Sequence, residues 1–153
     1  MIQERFENIT LAYQRSIGPY GQHNRHFMEN FKQTLDREQL LDAQSVIFGI
    51  ALDDPARVAA EKLRYDLGLV LRRGQSTSLE TRTLEDGLYV VFEVPHTEAD
   101  ILSFWKDLPV LTQGLPADWR RPIIERYAAP MIARHLCEMC VPLIRPGSSP
   151  DRG

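Results

Sequence analysis

On a strand read over residues 123–127, alternation sets Ile123, Glu125 and Tyr127 on one side and Ile124 and Arg126 on the other. Whichever side is buried takes a charge with it. If the Glu125 side points inward, a carboxylate loses water between an aliphatic side chain and a phenol, which is costly unless it is paired or meets a cationic partner. The other reading is an edge-facing Glu125 in a salt bridge with Arg64, Arg121 or Arg126. Glu138 poses the same question, because Leu136, Glu138 and Cys140 share one face while Cys137, Met139 and Val141 share the other. The second face is the cleaner core, so Glu138 reads as a rim residue with a ligand contact as the alternative. Asp66, flanked in alternation by Arg64 and Gly68, reads as half of a surface ion pair.

An organic cation is held best by aromatic faces beside a negative charge. The aromatic candidates are Tyr20, Phe27, Phe48, Trp105, Trp119 and Tyr127. Phe27, Phe48 and Trp105 lie on apolar stripes, where ordinary core packing is the competing explanation. Trp119 differs, because it sits in a loop among Pro116, Asp118, Arg120, Arg121 and Pro122, and a large ring in a polar loop lines a pocket or meets a partner.

Other chemistry finds little support. His23, His26, His96 and His135 form no convincing metal set, since nothing nearby completes the His23 and His26 pair. Cys137 and Cys140 are spaced C-x-x-C, yet on a strand residues three apart face opposite ways, so they read as plain buried thiols. No phosphate loop, G-x-S-x-G elbow or H-E-x-x-H is present, and neither cofactor nor metal is expected.

The elements that must position these residues repeat once. A strand at 11–16 and the turn Ile17-Gly18-Pro19-Tyr20-Gly21 lead into a helix from about 22 to 35, with Phe27, Met28, Phe31 and Leu35 on one face. Strands at 45–52 and 63–71 complete a β-α-β-β half over about 8–72. After a polar linker at 72–78 come a strand-like stretch at 80–83, the Asp86-Gly87 turn and a strand at 88–94. A helix from 98 to about 108 opens on Thr97 and Asp100 in capping-box positions, with Ile101, Leu102, Trp105 and Leu108 on one face. Strands at 123–127 and 136–143 close a second β-α-β-β half over about 80–144. The expected fold is α+β: one domain over 1–145, a pseudo-two-fold antiparallel sheet with strands pairing across the halves, two main helices on one face and a ligand cleft between the halves. Residues 146–153, rich in Pro, Gly and Ser, read as a disordered tail.

Composition agrees with a folded domain: 43% hydrophobic and 25% charged residues in 153, enough chain to bury a core without a staple. A net charge of −3 without long like-charge blocks argues against direct nucleic-acid binding. Glu4, Arg5 and Glu7 stand where a signal peptide needs an apolar run, and no segment has membrane-spanning length, so a cytoplasmic location is expected.

The stretch Leu11-Ala12-Tyr13-Gln14-Arg15-Ser16-Ile17-Gly18-Pro19-Tyr20 resembles the opening strand and turn of the GyrI-like superfamily, which includes effector-binding domains of AraC-type and MerR-type multidrug regulators. The likeness continues through Phe48-Gly49-Ile50-Ala51-Leu52-Asp53-Asp54-Pro55, Glu61-Lys62-Leu63-Arg64-Tyr65-Asp66 and Ile124-Glu125-Arg126-Tyr127. It departs at Val94-Pro95-His96-Thr97, where a second Gly-Pro-Tyr turn would stand.

The resemblance implies a concave face that binds hydrophobic, often cationic compounds, with Glu125 as the buried glutamate facing the pocket and Glu138 as its neighbour. With a first strand expected near residue 9 there is no room for a helix-turn-helix, so the chain reads as a stand-alone binder or sequestering protein, or as an excised domain. Two further readings come with the family: hydrolysis of cyclopropane-bearing natural products, with Glu125 as acid or base and Tyr127 or Tyr20 assisting, and a gyrase-inhibitor-like protein contact through the acidic surface or the Trp119 loop.

Overall fold

The computed structural model describes residues 1–145, and the tail expected to be disordered lies outside them. Eight strands form one antiparallel sheet in the order β1-β6-β8-β7-β3-β4-β2-β5. They are β1 (Ile2–Phe6), β2 (Thr10–Ile17), β3 (Val46–Ala51), β4 (Arg64–Val70), β5 (Glu80–Thr83), β6 (Gly87–Pro95), β7 (Ile124–Ala128) and β8 (Leu136–Pro142). The helices are α1 (Gln22–Arg37), α2 (Glu98–Leu111) and the single turn α3 (Ala129–Ile132). No helix among the described residues is long and apolar enough to cross a membrane.

The two β-α-β-β halves are present, β2-α1-β3-β4 and β6-α2-β7-β8, and they meet where β3 pairs with β7. Each half also has a leading strand, and the two leading strands are exchanged. β1 precedes β2 yet pairs with β6 of the other half, while β5 precedes β6 yet pairs with β2. The first strand therefore begins at Ile2 rather than near residue 9. β1 carries one buried side chain, Phe6, among exposed and partly exposed neighbours, so it lacks the alternation that marks a half-buried strand.

The sheet curls. Phe6 of β1 and Phe48 of β3 stack with ring centroids 5.8 Å apart, although three strands lie between theirs in the sheet. A flat sheet would hold them roughly 19 Å apart, four strand spacings of about 4.8 Å. The hollow of the curl is filled by Phe6, Leu11, Phe48, Ile50, Tyr89, Val91, Ile124 and Cys140. The inner side of the curl is thus filled by core side chains.

Both main helices pack on the opposite side. α1 seats Phe31 and Leu35 against Ala12, Ile47, Tyr65, Leu67 and Leu69, as its stripe predicts. It ends where Gln39 adopts φ 59° and the Leu40 N–H returns to the Leu35 carbonyl at 3.0 Å. α2 starts on Thr97, whose Oγ1 accepts from the Asp100 N–H at 3.1 Å and donates to the Asp100 carboxylate. Its buried stripe is Ile101, Phe104 and Leu108, whereas Leu102 is 62% exposed. The stripe is shifted from the one read in the sequence because α2 is apolar around most of its circumference, so several phases fit equally well.

Candidate functional site

β7 lies at the seam between the halves, and strand alternation gives its two faces opposite environments. Arg126 points into the curl, where it donates to Glu4 of β1 and Glu138 of β8 and lies over the Phe6 ring. Glu125 points to the helix-bearing face. There it stands opposite Gly49 of β3 and Met139 of β8.

The Glu125 carboxylate accepts a hydrogen bond from the Tyr65 hydroxyl, and the Tyr127 phenol beside it helps to hold the charged form. Among the described residues no basic side chain pairs with it. Its side chain is partly exposed although protein surrounds it. Desolvation pushes its pKa above the usual carboxylate range, and the neighbouring phenols of Tyr65 and Tyr127 oppose that shift. Burial and the neighbouring carboxylate in turn hold Tyr65 and Tyr127 well above the usual phenol range, so both remain donors.

The surroundings are aromatic. Tyr20 and Phe27 meet Tyr65 edge-on, with centroids 6.1 and 6.4 Å away. His96, from the turn before α2, packs its ring 5.6 Å from that of Tyr127. Burial, with Lys32 and His135 nearby, lowers the His96 pKa and favours its neutral form. The Tyr20 hydroxyl donates to the Arg64 carbonyl at 2.6 Å, which holds the Gly-Pro-Tyr turn against β4. Tyr127 packs against the apolar clusters of both halves. An ion pair of 3.6 Å between Arg25 and Glu98 ties α1 to α2.

Of the residues selected from the sequence, the structure groups Glu125, Tyr127, Tyr20 and Phe27. Phe48 belongs elsewhere: it is 2% exposed inside the curl, on the far side of the sheet from Glu125. Glu138 also faces away from Glu125, because β8 presents Met139 to Glu125 and Glu138 to Arg126. Trp105 is 38% exposed on α2 and rests edge-on against Phe104. Trp119 is 59% exposed in a loop held by the buried Asp118, which accepts from Arg120 and Arg121. That loop joins β8 at Leu143, roughly 13 Å along the strand from Met139, so Trp119 stands apart from Glu125.

Two cavities are prominent, and neither lies over Glu125. One of about 570 Å³ is lined by Tyr13, Gln14, Arg15, Phe27, Ser78, Leu79 and Glu80, and shares only Phe27 with the Glu125 group. The other, about 330 Å³, lies among Glu85, Asp118, Arg120, Arg121 and Arg145. Asp66 also departs from expectation. It is ion-paired, but buried, with Arg15 and Arg82 both on its carboxylate. Cys137 and Cys140 face opposite sides and are free, their thiols pushed up to about 11 and about 12 by burial. Among the described residues no cluster of His, Cys, Asp and Glu could hold a metal ion.

Tyr65 is the member the sequence reading left out of the site. Alternation had placed it on the apolar side of β4 with Leu67 and Leu69, and the stretch Lys-Leu-Arg-Tyr-Asp contains it. Nothing local pointed to its partner, 60 residues away.

The fold is thus a curled sheet of two related halves with two main helices on one side, and Glu125 lies among tyrosines at the seam. The chain belongs to the GyrI-like small molecule binding domain family, whose model matches residues 2–144. It is 35% identical over 144 residues to YosT of Bacillus subtilis (strain 168), an SPbeta prophage-derived candidate transcriptional regulator, covering 92% of this chain and 96% of that one. Its fold is similar to that of SAV2435 solved bound to tetraphenylphosphonium, with a TM-score of 0.60, 13% identity and coverage of 94% and 93%. It is also similar to the EcmrR C-terminal domain, with a TM-score of 0.67, 8% identity and coverage of 94% and 96%.

Proposed function

We propose that this domain binds amphipathic organic cations on its helix-bearing face, with Glu125 as the anionic anchor and Tyr65, Tyr127, Tyr20 and Phe27 as its aromatic surroundings. The observation that carries this reading is the desolvated Glu125 carboxylate, which accepts from the Tyr65 phenol and, among the described residues, from no cation. A lipophilic cation supplies the missing charge and brings its own apolar surface against the rings, so attraction and burial act together. Tetraphenylphosphonium, the ligand of one structural neighbour, is a suitable probe. Its isosteric anion tetraphenylborate keeps shape and hydrophobicity and reverses the charge. Calorimetric titration of both compounds tests the reading: the cation should bind at least tenfold tighter, and equal or tighter binding of the anion refutes it. Following each bound compound by chromatography over hours separates binding from turnover, which a protonatable carboxylate between two phenols is chemically able to assist.

A further inference from the structure

β5 covers β2 only along Thr10–Tyr13, where Glu80 pairs with Tyr13, and β2 runs on for four more residues to Ile17. The direction of the backbone groups along β2 follows from its ends. The Ile9 carbonyl accepts from Leu84 beyond β5, while the Thr10 carbonyl accepts from Leu71 beyond β4. Gly18 N–H, also even-numbered, donates toward β4 at the Leu63 carbonyl. Odd residues thus face the β5 side, and Arg15 and Ile17 turn a backbone N–H and C=O toward a lane in which no described strand lies.

The chain's own continuation of β5 does not fill that lane. Glu38, just past α1, accepts from the Thr77 hydroxyl, the Ser78 hydroxyl and the Ser78 N–H at 2.9 to 3.1 Å, and this holds residues 77–78 away. What remains is the cavity of about 570 Å³, floored by Tyr13, Gln14 and Arg15 and walled by Phe27, Ser78, Leu79 and Glu80. Ile17, at the end of the exposed edge, is 62% exposed.

We infer that this lane is a second binding site, separate from Glu125, and that its occupant is an extended peptide segment of a partner protein added beside β2 as a short strand. An exposed edge offers main-chain donors and acceptors at strand spacing, which an extended peptide satisfies and a compact organic molecule does not. The side chains around it set the partner's chemistry. Phe27 and Leu79 take an apolar residue on the helix side, Glu80 at one end takes a basic residue, and the wet edge of the Arg15 guanidinium takes an acidic one. An apolar residue flanked by opposite charges complements the lane.

The test uses the full ¹⁵N-labelled chain and a pool of capped pentapeptides built from Glu, Lys, Val, Ile, Phe and Thr. A second pool is N-methylated at alternate residues, which removes main-chain donors and leaves the side chains intact. Saturable shifts of the Arg15 and Ile17 amides with the first pool, at least tenfold weaker with the methylated one, are the expected result. Ile17→Pro removes a donor from the open side without breaking the β2–β4 ladder, and Glu38→Ala frees residues 77–78 to occupy the lane. Both variants should weaken binding by a similar factor. If Ile17→Pro does not fold, the comparison of the two pools on the parent chain decides. The inference fails if these amides do not move at millimolar pool concentration, if both pools act alike, or if the shifts centre on Glu125 and Tyr127.

Discussion

Gly49 faces Glu125 across the β3–β7 seam, and a methyl group built on Gly49 would stand 2.7 Å from Glu125 Oε1 and closer still to the Tyr65 hydroxyl. Both groups lie in the path of a single added carbon. Gly49→Ala should therefore break the Tyr65–Glu125 hydrogen bond and push the carboxylate aside, at a cost of about 1–3 kcal/mol in stability, as for other overpacked sites. Titration of tetraphenylphosphonium should show at least a tenfold loss. An unchanged dissociation constant would move the ligand away from this seam.

Glu125→Gln keeps the shape of the side chain and removes its charge. Burial raises the folded-state pKa of Glu125 above its unfolded value, so its contribution favours folding at low pH and is lost as pH rises through the raised value. The melting temperature of the Gln variant, relative to the parent, should accordingly climb from pH 4 to pH 8. Tetraphenylphosphonium should bind the variant more weakly by roughly 1.5–3 kcal/mol, the range for hydrogen bonds to charged groups, taken here as a guide to losing that charge. A neutral ligand of the same shape should change much less.

Tyr65→Phe removes the hydroxyl that donates to Glu125 and leaves the ring contacts with Tyr20 and Phe27 in place. With less hydrogen bonding to its charged form, Glu125 should titrate at a higher pH than in the parent. Carboxylate-region NMR of a Glu-labelled sample reads this directly. A shift downward would show that Tyr65 does not support the carboxylate.

What the sequence made legible follows from how far each signal reaches. Alternation correctly put Glu125 and Tyr127 together because a strand repeats every two residues. It could not say which face of β3 meets the helices, since Ile47 and Phe48 are both buried on opposite sides, and so core packing and a ligand contact stayed open for Phe48. Tyr65 escaped because its partner is distant in the chain. β1 escaped because an edge strand with one buried side chain leaves almost no apolar pattern.

Asp66→Asn tests a different part of the sheet. Asp66 is buried while Arg15 and Arg82 keep wet edges, so removing its charge should cost about 3 kcal/mol, the low end for breaking a buried pair. Affinity for tetraphenylphosphonium should stay within about twofold, because Asp66 lies on the face away from Glu125. Chemical denaturation beside calorimetry reads both quantities.

Cys137 and Cys140 should resist alkylation in the native state. Their thiols are pushed up to about 11 and about 12, which leaves almost no thiolate at neutral pH. Iodoacetamide labelling followed by mass spectrometry should be slow until denaturant is added. Rapid native labelling of either cysteine would show that its strand opens.

The exchange of β1 and β5 means that neither half owns a finished sheet edge. A piece ending at Gly74 would carry β1 without β6 to receive it and β2 without β5 to cover it, and the remaining piece would have the reciprocal deficits. Cutting the chain in the 72–78 linker would then yield two fragments that are each incomplete alone and mutually templating when mixed.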